Sequence, residues 1–298
     1  MDAAAVHSVE TPSGKDQGDE NFPVASFILS RDKRLPVKRF YDFARAADDI
    51  ADNPELDPDD KVERLDQFEA SLIPDARATS IAKAARLKAS LDEAGVTDRH
   101  ARDLLVAFRM DAKKLRYRNW QELLDYCEVS ANPVGRFLLD IHRENPAGYP
   151  ASDALCTVLQ ILNHLQDCGD DRRGLDRIYI PADFLAEAGT SIAVLDSDRS
   201  DAGFRIVLDR MLDGCDTLLA QADSLPDRLR DTRFAINASM IVYLARRLAE
   251  RLRSGDPLAE RVALTKADFA VALFRAVIRG LFRQRPARAV SSVPEAPS

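Results

Sequence analysis

Cysteine, glycine and histidine are sparse in this 298-residue chain, and each scarcity removes a class of function. The four cysteines, Cys127, Cys156, Cys168 and Cys215, form no C-x-x-C pair. A redox dithiol or thiolate zinc site of ordinary spacing is therefore not expected, and free thiols in a reducing cytosol are. The 12 glycines make no G-x-x-x-x-G-K-S/T, no G-x-G-x-x-G and no G-x-S-x-G. Phosphate-cradling loops and serine-hydrolase elbows are thereby excluded. The histidines, at His7, His100, His142 and His164, make no H-E-x-x-H, which argues against a zinc hydrolase. Positive charge is not in excess either. The net charge is −7, so no global basic field draws the chain to nucleic acid. No run of uncharged apolar residues is long enough to span a bilayer, and the first twenty residues lack the apolar stretch of a secretory signal. The expectation is a cytoplasmic protein, peripheral at a membrane surface at most, where it would collect a greasy substrate.

What is present is helical periodicity. With 46% hydrophobic residues the chain can bury a core large enough to enclose a sizeable apolar ligand. Apolar residues recur at helical spacing over 36–53, 58–72, 81–94, 97–114, 120–142, 153–168, 182–188, 204–222, 228–253 and 266–282. Pro36 suits a first helical turn, Asp57-Pro58 opens the second segment, and Thr97 caps the fourth. Asn132-Pro133 interrupts the fifth, and Gly255-Asp256-Pro257 separates the last two. VYLAR (242–246) and RIYIP (177–181) are the only strand-like runs, and neither has an alternating partner nearby. The composition predicts disordered ends over 1–20 and 285–298, and one all-α domain over 21–284.

The chemistry concentrates in QILNHLQDCGDD (160–171). Asp167 and Asp171 stand four apart, so both carboxylates share one helix face, with Gln160 and Asn163 on the same stripe. A second pair with the same spacing, Asp48 and Asp52, stands in ARAADDIAD. The plain alternative is a solvated acidic face. Against it, the first pair sits among Ala44, Ala46, Ala47 and Ile50 rather than among lysines and arginines. Two such helices facing each other could hold Mg2+ and, through it, a diphosphate. Arg45, three residues before Asp48, either neutralises that diphosphate or pairs with Asp48 or Asp49. Arg172 and Arg173 read as surface arginines, and His164 as a packed histidine. A di-iron site would need glutamates in Glu-x-x-His pairs that are not found here.

These blocks resemble the head-to-head prenyl synthases, the family of squalene, dehydrosqualene and phytoene synthases. The resemblance is carried in order by RFYDFARAADDIAD (39–52), AFRMD (107–111), YCEVSANPVG (126–135) and QILNHLQDCGDDRRGLDRIYIP (160–181). It implies an isoprenoid synthase helical bundle with a central apolar cavity. NFPVAS (21–26), RYRNWQELLDYC (116–127) and NHLQDCGDD (163–171) look most like the bacterial hydroxysqualene synthase branch of hopanoid and squalene pathways. That likeness implies loss of diphosphate from presqualene diphosphate, rearrangement of the cation, and capture by water. It puts the Mg2+ ligands on Asp48, Asp52, Asn163, Asp167 and Asp171. Tyr41, Arg45, Gln160 and Arg177 are implied near the diphosphate, and Phe22 and Val129 against the substrate. Further apolar lining is expected from Phe40, Leu105, Phe108, Val134, Phe137, Leu138, Leu159 and Leu162.

Three positions depart from the family pattern. Val129 replaces the tyrosine of reductive squalene synthases, Gln166 the usual arginine of phytoene-type enzymes, and Asn132 the glycine of an Ala-Gly pair. These changes argue against condensing or NADPH-reducing activity. Asn132 or Ser130 is expected to place the capturing water. The competing readings are a synthase acting on farnesyl diphosphate and a non-catalytic helical binding protein. Contacts with other pathway enzymes stay open.

Overall fold

The computed structural model describes residues 9, 30–73 and 81–283. Residue 9 apart, the expectations for 1–20, for Phe22 and for 285–298 lie outside the described residues.

Thirteen α-helices follow one another among these residues. The first six are α1 (Arg31–Ala51), α2 (Pro58–Ala70), α3 (Ala82–Ala94), α4 (Arg99–Lys113), α5 (Trp120–Ser130) and α6 (Asn132–Ile141). Then come α7 (Tyr149–Gln166), α8 (Cys168–Leu175), α9 (Ala182–Glu187) and α10 (Ala202–Ala222). The short α11 (Leu225–Arg228), α12 (Thr232–Ser254) and α13 (Lys266–Phe282) complete the chain. The only β pairing among the described residues is an isolated bridge between Arg116 and Ile178. The fold is all-α.

Side-chain caps start five of these helices, α2, α5, α10, α12 and α13. The Asp57 carboxylate accepts the N–H groups of Asp59 and Asp60, both at 2.9 Å, with Pro58 at the first helical position. Asn119 accepts Glu122 N–H at 2.9 Å, and Asp201 accepts Phe204 N–H at 2.6 Å. Thr265 and Asp268 form a reciprocal capping box at α13. Two sequence expectations need correction. α1 begins at Arg31, not at Pro36, because Pro36 forfeits only the bond to the Asp32 carbonyl in an exposed first turn. VYLAR lies inside α12, where its apolar residues serve a helix face.

α7 is the central element and packs against α5, α6, α10 and α12. Gly135 permits the α6 approach. A Cβ there would lie 2.3 Å from Ser152 Oγ and 2.6 Å from Cys156 Sγ, so only glycine fits without movement. α1 packs with α2, α3 and α4 around a second apolar cluster that includes Phe43, Phe68 and Leu87. Each such fully buried side chain contributes about 2 kcal/mol. Leu138 of α6 touches both clusters. Between them lies the cavity described next.

Candidate active site

A cavity of about 310 Å³ opens where α1, α4, α5, α7 and α8 converge. α1 presents Tyr41, Arg45, Asp48 and Asp52 on one stripe, since residues three and four apart share a helix face. The other side of α1 is buried through Ala46, Ala47 and Ile50. α7 contributes Gln160, Asn163, His164 and Asp167, and α8 contributes Asp171. The two motifs, more than a hundred residues apart in sequence, therefore border one space.

The second motif is not one straight helix. Asp167 ends α7 and precedes α8, with φ −102° and ψ 8°. Asp171 N–H still donates to the Asp167 carbonyl at 2.8 Å, so the break is a bend that keeps the two carboxylates about one turn apart.

Charge is dense here. Arg45 Nη1 lies 3.2 Å from Asp48 and Nη2 2.9 Å from Asp49, so this arginine pairs with both while it lines the cavity. Asp48 keeps 33% of its side chain exposed, which leaves it reachable from the cavity. Burial, and then the neighbouring Asp52 carboxylate, push its pKa above the ordinary carboxylate range. Asp167 is raised for the same two reasons, burial and the charge of Asp171. Carboxylates held this close gain from a cation between them.

Arg177 is the buried fastener of the site. Its Nη1 donates to Asp52 Oδ1 at 2.5 Å, Nη2 to the Ala51 carbonyl at 2.8 Å, and Nε to the Asp111 carbonyl at 3.1 Å. It thus joins the ends of α1 and α4 to the segment after α8. Burial alone would lower its pKa, but Asp52 and Asp111 outweigh that and hold it above the usual value. Arg172 and Arg173 pair outward, with Asp196 and Asp170, as expected of surface arginines.

Four polar lining residues, Asp111, Tyr126, His164 and Tyr179, were given no role in the chemistry by the sequence. Asp111 accepts Tyr126 OH at 2.9 Å and Tyr179 OH at 3.2 Å. Burial raises its carboxyl to about 6, against the opposing pull of Arg177 and the Tyr126 hydroxyl. His164 was expected to be packed, and its ring does stack on Tyr179 at 3.4 Å between centroids. It also borders the cavity, with Nε2 2.9 Å from Gln160 Nε2 and Nδ1 3.8 Å from Asp171. With the Gln160 amide donating, Nε2 accepts and the ring proton sits on Nδ1, facing Asp171. Asp111, Tyr126 and Tyr179 all fall within the motif blocks, but no spacing rule pairs them.

The water-placing candidates separate. Ser130, the last residue of α5, lines the cavity, and its Oγ is buried without a hydrogen-bond partner among the described residues. Asn132 does not line it. Its Oδ1 accepts Thr157 Oγ1–H at 3.0 Å, and it borders a different depression with Arg136 and Asp153. The expectation for Asn132 is therefore corrected: as the first residue of α6 it reaches α7 instead. Val129 likewise packs against the larger core rather than lining the cavity. Gln166 is buried and donates to the Val262 carbonyl at 2.6 Å, tying α7 to the segment before α13.

An apolar annex of about 140 Å³ adjoins the cavity and shares Tyr41 and Ala44 with it. Phe40, Val134, Phe137 and Leu138 line the annex, and Phe108 lines the main cavity. Phe40 and Phe137 stack with centroids 4.1 Å apart. Leu105 and Leu162 are fully buried core residues and line neither space, and Leu159 packs against the larger core.

All five expected metal ligands, Asp48, Asp52, Asn163, Asp167 and Asp171, border the cavity and offer oxygen donors. Among the described residues no three His, Cys, Asp or Glu side chains converge into a cage. The donors stand on separate helices, which suits an ion that keeps waters and completes its shell with phosphate oxygens.

Comparison with known proteins agrees with this geometry. The family model for squalene/phytoene synthase matches residues 15–268. A hydroxysqualene synthase from Rhodopseudomonas palustris is 44% identical over 92% of this chain and 94% of its own length. One from Zymomonas mobilis is 39% identical over 91% of each chain. The crystal structure of squalene synthase HpnC from Alicyclobacillus acidocaldarius superposes with a TM-score of 0.69 at 27% identity, covering 78% of this chain and 88% of that one. With two acidic motifs on facing helices and a family model matched over most of its length, the chain belongs to the squalene/phytoene synthase family of enzymes.

Proposed function

We propose that the chain is a hydroxysqualene synthase, which ionises presqualene diphosphate, rearranges the cation and adds water. The observation that carries this reading is the pair of carboxylate stripes on one cavity, in a chain so similar along its length to a hydroxysqualene synthase. Asp48, Asp52, Asn163, Asp167 and Asp171 would hold Mg2+. Bound there, Mg2+ would neutralise the diphosphate and make it a competent leaving group.

The side chains do the rest. Arg45, anchored by Asp48 and Asp49, presents a fixed positive charge to the diphosphate end of the cavity. Arg177 holds Asp52 in place, and Gln160 with His164 orients the floor beneath Asp171. Tyr41 borders both the polar cavity and the apolar annex. Its ring face suits a cation that forms at one and spreads toward the other. Phe40, Val134 and Phe137 exclude bulk water from the prenyl chains. Ser130 is the residue that holds the single water used for capture, because its buried hydroxyl has no other partner among the described residues.

The test is to supply presqualene diphosphate and farnesyl diphosphate separately, with Mg2+ and without NADPH, and to analyse the lipids. Hydroxysqualene from presqualene diphosphate alone, stopped by EDTA, is the expected result. Consumption of farnesyl diphosphate would assign a condensing enzyme instead, and no product from either would leave a binding protein.

A further inference from the structure

α2 carries one residue that its packing does not explain. Leu65 and Phe68 are its buried side chains, and Lys61 stands four and seven residues before them, on the same face. Helical periodicity would place an apolar residue there. Lys61 belongs to the first turn, where its N–H donates to the Asp57 carbonyl at 3.1 Å, and its side chain is half-buried.

Ion pairs fix what that turn faces. Lys113, in the last turn of α4, lies 3.0 Å from Asp59 in the first turn of α2. Further along, Arg109 reaches Asp66 and Glu69, each at 2.6 Å. The two helices therefore run antiparallel, with the start of α2 beside the end of α4. The end of α1 is there too, since α1 stops at Ala51, α2 opens at Pro58, and the two pack together. Arg177 closes the same corner through the Ala51 and Asp111 carbonyls. Lys61 enters this corner from its third side. Burial, and then the positive charge of Arg177, lower its pKa, and Asp52 opposes them.

Among the described residues no hydrogen bond or ion pair holds the Lys61 ammonium. Asp52 is taken by Arg177, and Asp59 by Lys113. A half-buried ammonium beside a guanidinium, with no carboxylate of its own, is unfavourable by itself. An anion arriving next to Asp52 and Arg177 would relieve it. Asp52, Asp111 and Arg177 line the cavity, and Lys61 stands just outside them. Its flexible four-carbon stem gives the ammonium a reach of about 6 Å.

We propose that Lys61 is a diphosphate-binding residue, a cation at the rim that turns onto a phosphate group when the ligand's diphosphate reaches Asp52 and Arg177. This role rests on the reading of the cavity as a diphosphate site, and it brings α2 into a site otherwise built from α1, α4, α5, α7 and α8.

Isothermal titration calorimetry of the full chain with inorganic pyrophosphate in excess Mg2+ tests it. Lys61→Met keeps the stem and removes the charge. It should weaken pyrophosphate binding about tenfold and raise KM for presqualene diphosphate by a similar factor, with kcat within about threefold of the parent. Lys61→Arg should restore most of the affinity. Without ligand, the thermal midpoint of Lys61→Met should equal or exceed that of the parent, because the repulsion from Arg177 goes with the charge. A marked fall in that midpoint would make Lys61 a structural residue and overturn the proposal. Equal pyrophosphate binding by Lys61→Met, or no pyrophosphate binding by the parent, would overturn it as well. Pyrophosphate binding that depends on Lys61, in a chain that leaves presqualene diphosphate unchanged, would uphold this role and overturn the proposed reaction alone.

Discussion

Arg177 concentrates more of the site than any other side chain. It satisfies two helix-end carbonyls and the Asp52 carboxylate at once, from a buried position. Removing it leaves a carboxylate without its countercharge and two carbonyls without donors. Arg177→Ala should cost about 3–5 kcal/mol in urea unfolding and reduce turnover, and Arg177→Lys should restore only part of either, since one ammonium cannot reach all three acceptors. Asp111 gives a pH signature. Its folded pKa of about 6 lies above its unfolded value, so the native state binds the extra proton. The stability this brings is fully present below the unfolded pKa and is lost as pH rises through about 6. Metal-free protein should therefore lose stability between about pH 4 and pH 7, and Asp111→Asn should make that slope shallower by up to about 3 kcal/mol. An unchanged slope would mean that Asp111 does not titrate there. Ser130→Ala should lower alcohol formation and raise the share of other products, whereas Asn132→Ala should cost about 1–3 kcal/mol of stability through Thr157 and leave the product unchanged. That Asp48, Asp52, Asp167 and Asp171 would border one cavity was legible because equal spacing on two helices is a strong pattern. Asp111 was not, because its partners Tyr126 and Tyr179 reach it from two later segments.

At the scale of elements, the α6–α7 contact and the bend between α7 and α8 shape the cavity. Gly135→Ala would put a methyl group inside the contact radius of Ser152 and Cys156. Pushing the helices apart should lower stability by about 1–3 kcal/mol and shift KM, because α6 also lines the annex through Val134 and Phe137. Differential scanning calorimetry and steady-state kinetics would read both. Periodicity located nearly every helix, since a buried stripe is imposed by packing and leaves its mark on composition. It stopped at 168, beside the bend at Asp167, and missed α8 beyond it, whose sequence CGDDRRGL carries too few apolar residues to show a period. It also missed where Asn132 points. The helix break was visible as Asn-Pro, but the direction of a side chain in a first turn depends on the neighbouring helix. The start of α1 was misplaced because proline is tolerated one turn further in when the carbonyl it leaves is exposed.

The whole molecule is a helical frame that brings two acidic stripes, about 120 residues apart in sequence, to opposite sides of one cavity with an apolar annex behind. Neither stripe is a site by itself. Within each stripe, burial and the neighbouring carboxylate raise Asp48 and Asp167, and a polyvalent ligand between the stripes would relieve both. The fold class was legible from helical spacing and the near absence of strand signals, and the cavity followed from where the two stripes had to meet. The two stripes are proposed to act as one diphosphate-ionising unit. The most direct test is diphosphate release from presqualene diphosphate by Asp52→Asn, Asp171→Asn and the double variant. Each single change should remove most turnover, on the order of a hundredfold, and the double should lose little more. Near-full activity in either single variant, or losses that simply multiply in the double, would contradict it.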